Sequence, residues 1–459
     1  MRIIGKVFKW LAIAVVAAVI AITGWLWFAP PALIQVAAGY SAKIICSNVF
    51  VAGREPGDVL KIDVQAPGHP ILGLVSQKVD LTGKTVTARL LGVFGGGLAV
   101  ARQGVGCASA PGGNSDSVSG ATPGPMSVTL GTGLWPQGNE VAPSQDPAIA
   151  AILDDPAMTG PGMRAVVVVK NGRIVGERYG EGFHADVPLL GWSMTKTVTA
   201  AIIGTVIADG KLNLERAELF DAWKGDGRNA IRVADLMSMS SGLEFNEDYG
   251  DVTDVTRMLY LEPDMAAFVA SKPLKDEVNK VFNYSSGTTV LLSRIWQDAV
   301  GDQAINWPNM KLFGPLGMQY AVLETDAKGT FVGSSYLYAL PREWARFGQF
   351  LLQDGVWNGE QILPPGYAAW MRQPSDAAPD EYTRGQMWLR GPSAGTPDGE
   401  DPDAGFDLPA DTVWALGHDG QSMAVIPSQQ MVVVRMGLTP SKLGYKSQKM
   451  VEALVKALP

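Results

Sequence analysis

From Met194 to Ala208 the chain carries almost only Ala, Ile, Val, Thr and Gly. A helix that is apolar all round has no solvent face, so the fold has to enclose this segment on every side. Asp209-Gly210 closes it, with the glycine as the C-cap. One charge breaks the run, Lys196, which follows Ser193 by three residues and so shares its helix face. At a helix N-terminus the unpaired N–H groups favour negative charge developing on the serine oxygen. Burial disfavours an ammonium and lowers a lysine pKa. Ser193 therefore reads as a nucleophile and Lys196 as the base that takes its proton. A chain of this length holds roughly one Ser-x-x-Lys by chance, and a serine N-cap with a lysine snorkelling from the first turn gives the same pattern. The other motifs have to decide.

At the N-terminus Arg2, Lys6 and Lys9 precede an uncharged run from Trp10 to Ala29. At about 1.5 Å per residue that run spans roughly 30 Å, the thickness of a bilayer core. Trp25, Trp27 and Phe28 stand at its far end, where aromatic residues mark the interface. The basic flank should stay cytoplasmic. The expectation is a single-pass signal anchor over residues 1–30 in the inner (cytoplasmic) membrane, with everything after Pro30 on the periplasmic, extracytoplasmic side. A signal peptide cleaved near Ala37-Ala38 is the alternative, although the run exceeds a usual h-region.

Export sets how the cysteines read. Cys46 and Cys107 are the only two, and in an oxidising compartment the simplest state is a disulfide, two free buried thiols being the other. The closed loop of about sixty residues would contribute roughly 4 kcal/mol. The three histidines, His69, His184 and His418, lack metal-site spacing, so neither a metal nor another cofactor is expected. A net charge of −8 with no basic cluster beyond the N-terminus argues against nucleic acid. The partners expected are the membrane and a small-molecule or peptide substrate; oligomeric state is not legible.

With 459 residues, 47% of them hydrophobic, the chain has room for two or three domains and a large core. Residues 31–110 mix β-rich runs (Val59 to Val64, Thr85 to Leu91) with Pro-Gly turns and read as a small disulfide-stapled unit. Residues 111–134 are rich in Gly, Ser and Pro and read as a linker or long loop. Residues 135–459 form the main domain. Within it, Arg164 to Lys170, Asn171-Gly172 and Arg173 to Tyr179 make a hairpin, and Gln421 to Ile426 with Gln430 to Met436 make another. Helical stretches at Val233 to Met239, Thr289 to Val300 and Lys446 to Leu458 imply one antiparallel sheet built from both ends of the domain around a helical insertion.

Asn283-Tyr284-Ser285-Ser286-Gly287 precedes a helix and can present a phenol to a cleft, and Gly417-His418-Asp419-Gly420 precedes the last hairpin, where glycine lets a substrate approach the backbone. Together with Ser193-Met194-Thr195-Lys196, Leu236 to Leu243, Phe313 to Met318 and Gly355 to Gly359, in this order and spacing, these stretches resemble the serine β-lactamase and penicillin-recognising hydrolase family. The resemblance covers roughly Gly162 to the C-terminus. It is closest to the branch of class C β-lactamases, D-alanyl-D-alanine carboxypeptidases, esterases and 6-aminohexanoate-dimer hydrolases. It implies an α+β fold, a β-lactamase/transpeptidase-like α/β/α sandwich with a central antiparallel sheet and a helical subdomain, the site lying between them.

The resemblance further implies an acyl-enzyme on an amide or ester bond. Ser193 attacks, Lys196 takes its proton, Tyr284 relays a proton to the leaving group, and the backbone N–H groups of Ser193 and Gln421 form the oxyanion hole. Trp192, Tyr249, Ser286, His418 and Gly420 are candidate substrate contacts; His418 binds a carboxylate or merely lines the cleft, and Tyr249 contacts substrate or is a loop aromatic. The family's β-lactamases carry Tyr-x-Asn and Lys-Thr-Gly where this chain has Tyr284-Ser285-Ser286 and His418-Asp419-Gly420, which weakens the case for antibiotic hydrolysis. Tyr-x-Ser and Phe245-Asn246-Glu247-Asp248-Tyr249 look more like the 6-aminohexanoate-dimer hydrolases. A membrane-anchored penicillin-binding or sensor protein that acylates without efficient turnover is the alternative; a Ser-His-Asp hydrolase is disfavoured, because His418-Asp419 are adjacent and the second glycine of a nucleophile elbow is missing.

Overall fold

The computed structural model describes residues 2–128, 130–142 and 144–458. Met1, Thr129, Pro143 and Pro459, which fall within the ranges 1–30, 111–134 and 135–459 drawn above, lie outside the described residues. Helix α1 (Arg2–Phe28) packs little against the rest of the chain, and Trp10, Leu11, Val16 and Ile20 along it are exposed. Helix α2 (Ala32–Phe50) is apolar too, but Ile34, Ile44 and Ile45 are buried, so it is a core helix. It lies across an antiparallel meander of β1 (Val75–Asp80), β2 (Thr85–Leu90), β3 (Phe94–Arg102) and β4 (Gly106–Ser109). A Cβ on Gly97 would stand 2.2 Å from the Ala38 carbonyl oxygen, so glycine is what lets β3 lie against the α2 backbone. The Cys46–Cys107 disulfide joins α2 to β4. Of Thr85 to Leu91, Thr85–Leu90 is a strand as expected and Leu91 begins the turn, but Val59–Gln65 is helical. Its alternating pattern gives way to tertiary packing that buries Val59 and Val64 and turns Asp63 toward two arginines.

The main sheet has five antiparallel strands, β5 (Met163–Lys170), β6 (Arg173–Tyr179), β7 (Val413–Gly417), β8 (Gln421–Ile426) and β9 (Met431–Gly437), in the order β7-β8-β9-β5-β6. Both expected hairpins are present, and β9 pairs with β5 to close the sheet from the two ends of the domain. Side chains alternate along each strand. Val166, Val168, Ala424 and Val433 meet α3 (Pro147–Asp154) and the C-terminal helix Gln448–Ala457 on one face, while Val167, Val169, Val425 and Val432 belong to the large core that includes Pro341–Leu352 on the other. The result is a three-layer sandwich.

Helix α4 (Thr195–Ala208) runs through the middle of the neighbouring helical region, buried from Thr195 to Val206. Each of Ile202 and Ile203 contributes about 1.5–3 kcal/mol by leaving water. It packs beside α6 (Ser286–Val300); α5 (Asp254–Leu261) lies against α2, with Gly39 so close that a Cβ there would be 3.1 Å from Tyr260. Polar bolts reinforce the junction between α2, its meander and the main domain. Glu324 is buried, pairs with Lys43, and accepts hydrogen bonds from Ser47 Oγ at 2.9 Å and the Cys107 N–H at 2.6 Å. Asp63 holds Arg54 at 2.8 Å and Arg164 at 2.7 Å.

Candidate active site

Ser193 stands in a tight turn, Trp192–Met194, that runs directly into α4. Trp192 has φ +48°, a conformation that costs a bulky residue on the order of 1–3 kcal/mol and persists only under packing. The packing is there: its ring meets Tyr336 at 5.8 Å and the edge of His418 at 5.4 Å. Two glycines bring the backbone together behind it. A Cβ on Gly191 would be 2.2 Å from the Trp344 ring, and one on Gly417 would be 2.2 Å from the Gly191 carbonyl oxygen. The end of β7 thus abuts the nucleophile turn.

Lys196 Nζ has three partners, each at 3.0 Å: Ser193 Oγ, Ser286 Oγ and the Ser334 carbonyl oxygen. The carbonyl can only accept. Ser286 Oγ lies against Glu247 Oε1, and the Ser286 backbone N–H donates to Glu247 Oε2 at 2.7 Å. With Glu247 ionised, the Ser286 hydroxyl donates to the carboxylate and must accept from the lysine. A neutral Lys196 then spends both of its hydrogens on Ser286 and Ser334, and its lone pair is left for the Ser193 O–H. Burial makes that neutral form accessible, lowering the Lys196 pKa to about 8 against the opposing pull of Glu247. Burial likewise raises Glu247 above the usual carboxylate range, opposed by Lys196 and by the hydrogen bonds from Ser286.

Tyr284 engages the Ser193 hydroxyl, and its ring lies 4.8 Å from Lys196 Nζ. Burial, with Glu247 nearby, pushes its phenol well above the ordinary tyrosine value, so it is protonated at neutral pH and acts as a donor. Tyr249 reaches the Ser286 hydroxyl and is also held protonated by burial. Its ring stacks on His418 at 4.9 Å. Ser193, Tyr249, Tyr284 and His418 all line one cleft of about 750 Å³.

Other expected site residues take different places. Ser286 is fully buried behind the nucleophile, so it holds Lys196 and Glu247 rather than forming the cleft wall expected of a substrate contact. Gly420 has φ +85° and its carbonyl accepts from Arg435 Nη1 at 2.8 Å, which anchors the turn. Trp192 is buried beneath His418. Gln421 opens β8 beside the nucleophile turn, its side chain tied to the Gly437 backbone. Sequence reasoning singled out the stretch around Tyr249 without giving Glu247 a role, because its partner Ser286 is 39 residues away. It also did not read the cleft's acidic rim, where Asp380, Glu381, Glu400 and Asp401 outnumber Arg390.

A serine hydroxyl, a buried lysine amine and a phenol thus meet between a helical region and an antiparallel sandwich. A family model described as Beta-lactamase matches residues 153–442, well over half the chain, and the chain belongs to that family. It is 22% identical over 302 residues to the 6-aminohexanoate-dimer hydrolase of Paenarthrobacter ureafaciens, covering 60% of this chain and 72% of that one. A penicillin-binding protein homolog from Caulobacter crescentus superposes with TM-score 0.53 at 15% identity, covering 70% of this chain and 99% of that one. A family VIII carboxylesterase does so with TM-score 0.53 at 13% identity and the same coverage. The likeness to these structures carries the β-lactamase/transpeptidase-like fold.

Proposed function

We propose that the protein is a serine hydrolase that cleaves an amide or ester bond of a small molecule or peptide through an acyl-enzyme. The observation that carries this is the trio of contacts on Lys196 Nζ, each at 3.0 Å: once Ser286 and Ser334 take the hydrogens of the neutral amine, its lone pair is left for Ser193. Ser193 Oγ attacks the carbonyl carbon as its proton passes to Lys196, and the backbone N–H groups of Ser193 and Gln421 take the oxyanion. The C–N or C–O bond then breaks as Tyr284 protonates the leaving atom, and the proton held by Lys196 restores the phenol. Water then attacks the acyl carbon as its proton passes to Lys196, and the C–Oγ bond breaks as Lys196 returns that proton to Ser193 Oγ, which frees the acid and restores the enzyme.

The exposed apolar α1 supports an anchor that keeps the catalytic domain on the extracytoplasmic side of the inner membrane, and the Cys46–Cys107 disulfide agrees with an oxidising compartment. The test is a panel of esters, linear amides, D-Ala-D-Ala peptides and a chromogenic cephalosporin, run beside Ser193→Ala. The variant is expected to lose turnover and fluorophosphonate labelling together. Labelling that persists on another serine refutes the assignment.

A further inference from the structure

A second hollow, a slot of about 130 Å³, lies next to the catalytic cleft between α2 and the main domain. Leu33, Val36 and Ala37 of α2, Ile71 and Leu72 of the turn before β1, and Trp192 line it, and the polar residues His69, Asp251 and Asp419 line it too. Tyr249 and His418 line both hollows, so the two meet at that stacked pair. Tyr284 lines the cleft and not the slot. The leaving group has to sit beside the phenol that protonates it, so the part of the substrate on the slot side is the acyl part. Part of the lining belongs to segments that adjoin the end of α1. Leu33 follows Phe28 by five residues, and the segment holding Ile71 ends at Leu74, which is exposed and is paired through its carbonyl with the N–H of Leu91. Leu91 and Val93 are exposed as well, and they directly precede Phe94 at the start of β3, the strand that touches α1.

We propose that the slot receives the acyl chain of the substrate, so that this enzyme deacylates amphiphiles resident in the membrane surface, with the polar head group as the leaving group in the acidic cleft. The proposal rests on the serine-hydrolase reading above. The mainly apolar lining suits a hydrocarbon chain, and lining residues that follow α1 closely in the chain suit entry of that chain from lipid. The head group then faces Asp380, Glu381, Asp398 and Glu400, with Asp401 paired to Arg390, an acidic excess that repels anionic heads and suits neutral or cationic ones.

The full chain in nanodiscs would be assayed on p-nitrophenyl acetate, butyrate, hexanoate and octanoate. The expected result is a kcat/KM that rises about fourfold per methylene until the slot is full, the equivalent of about 0.8 kcal/mol for each buried CH₂. Ala37→Phe, which fills the slot, should flatten the series while leaving acetate turnover intact. Leu33→Gln, at a half-buried position, should flatten it partly and serves if Ala37→Phe does not fold, with circular dichroism and acetate turnover as the folding check. Partition of long esters into the disc is common to all variants and cancels in the comparison. A flat wild-type series with normal acetate turnover, or a rise that both variants keep, overturns the slot and leaves the hydrolase standing. If no ester turns over, the rate of Ser193 labelling by methyl-, hexyl- and dodecyl-fluorophosphonate answers the same question, and absence of labelling removes both readings.

Discussion

On the mechanism proposed above, the charge state of Lys196 decides the rate. A base has to be unprotonated, so with the lysine pKa near 8 the kcat/KM should climb with pH through about that value. Glu247 raises that pKa, and Glu247→Gln should therefore move the inflection to lower pH while lowering the plateau about tenfold or more, the loss of one charge-assisted hydrogen bond to Ser286. A pH–rate profile on an uncharged ester reads both effects; an unmoved inflection means that another group sets it. Tyr284 answers to a different demand. Amide nitrogen leaves poorly without a proton and an activated aryloxide leaves readily, so Tyr284→Phe should cost far more on an anilide than on a p-nitrophenyl ester. Lys196→Ala should cost at least about a hundredfold on both. Equal losses for Tyr284→Phe on the two substrates would move the phenol into the activation of Ser193.

The turn that carries Ser193 has the end of β7 pressed against it. Gly417→Ala puts a methyl where the Gly191 carbonyl stands, 2.2 Å away, so one backbone has to retreat. A displacement near 1 Å costs about a hundredfold in turnover. Matched kcat and thermal melts of Gly417→Ala are expected to show that loss with the fold retained; full activity would mean that the strand end is free to shift. The elements of this centre were legible wherever the pattern was strong, as in the unbroken apolar run of α4, the two hairpins around Asn171-Gly172 and Pro427-Ser428, and α6. Val59–Gln65 was not, because an alternating pattern of six residues cannot report that Asp63 is wanted by Arg54 and Arg164. Glu247 was not either. Its role exists only where a loop and the start of α6 meet, and spacing along the chain carries no record of that meeting. Ser286, legible as part of a motif, was given to the substrate when its burial gives it to Lys196.

Over the whole molecule, stability depends on the junction between α2, its meander and the sandwich. Glu324 is the centre of that junction, receiving Lys43, Ser47 and the Cys107 N–H in a fully buried place. Glu324→Ala leaves a buried ammonium without its partner and should destabilise the protein by about 3–5 kcal/mol, while replacing the pair as Lys43→Met with Glu324→Leu should recover much of the loss. Denaturant titration of the three chains measures this, and a single variant as stable as the parent would show that water reaches Lys43. The same junction sets how far the catalytic centre can travel. Ala29, Pro30 and Pro31 are all that separates α1 from α2, and three residues reach about 10 Å when fully extended. With α1 in a bilayer, the protein has no stalk on which to sweep the space above it. An enzyme held in this way patrols a surface, and on the proposal made above its turnover in a cell should follow the number of substrate molecules per unit of membrane area, whatever their concentration in the surrounding fluid.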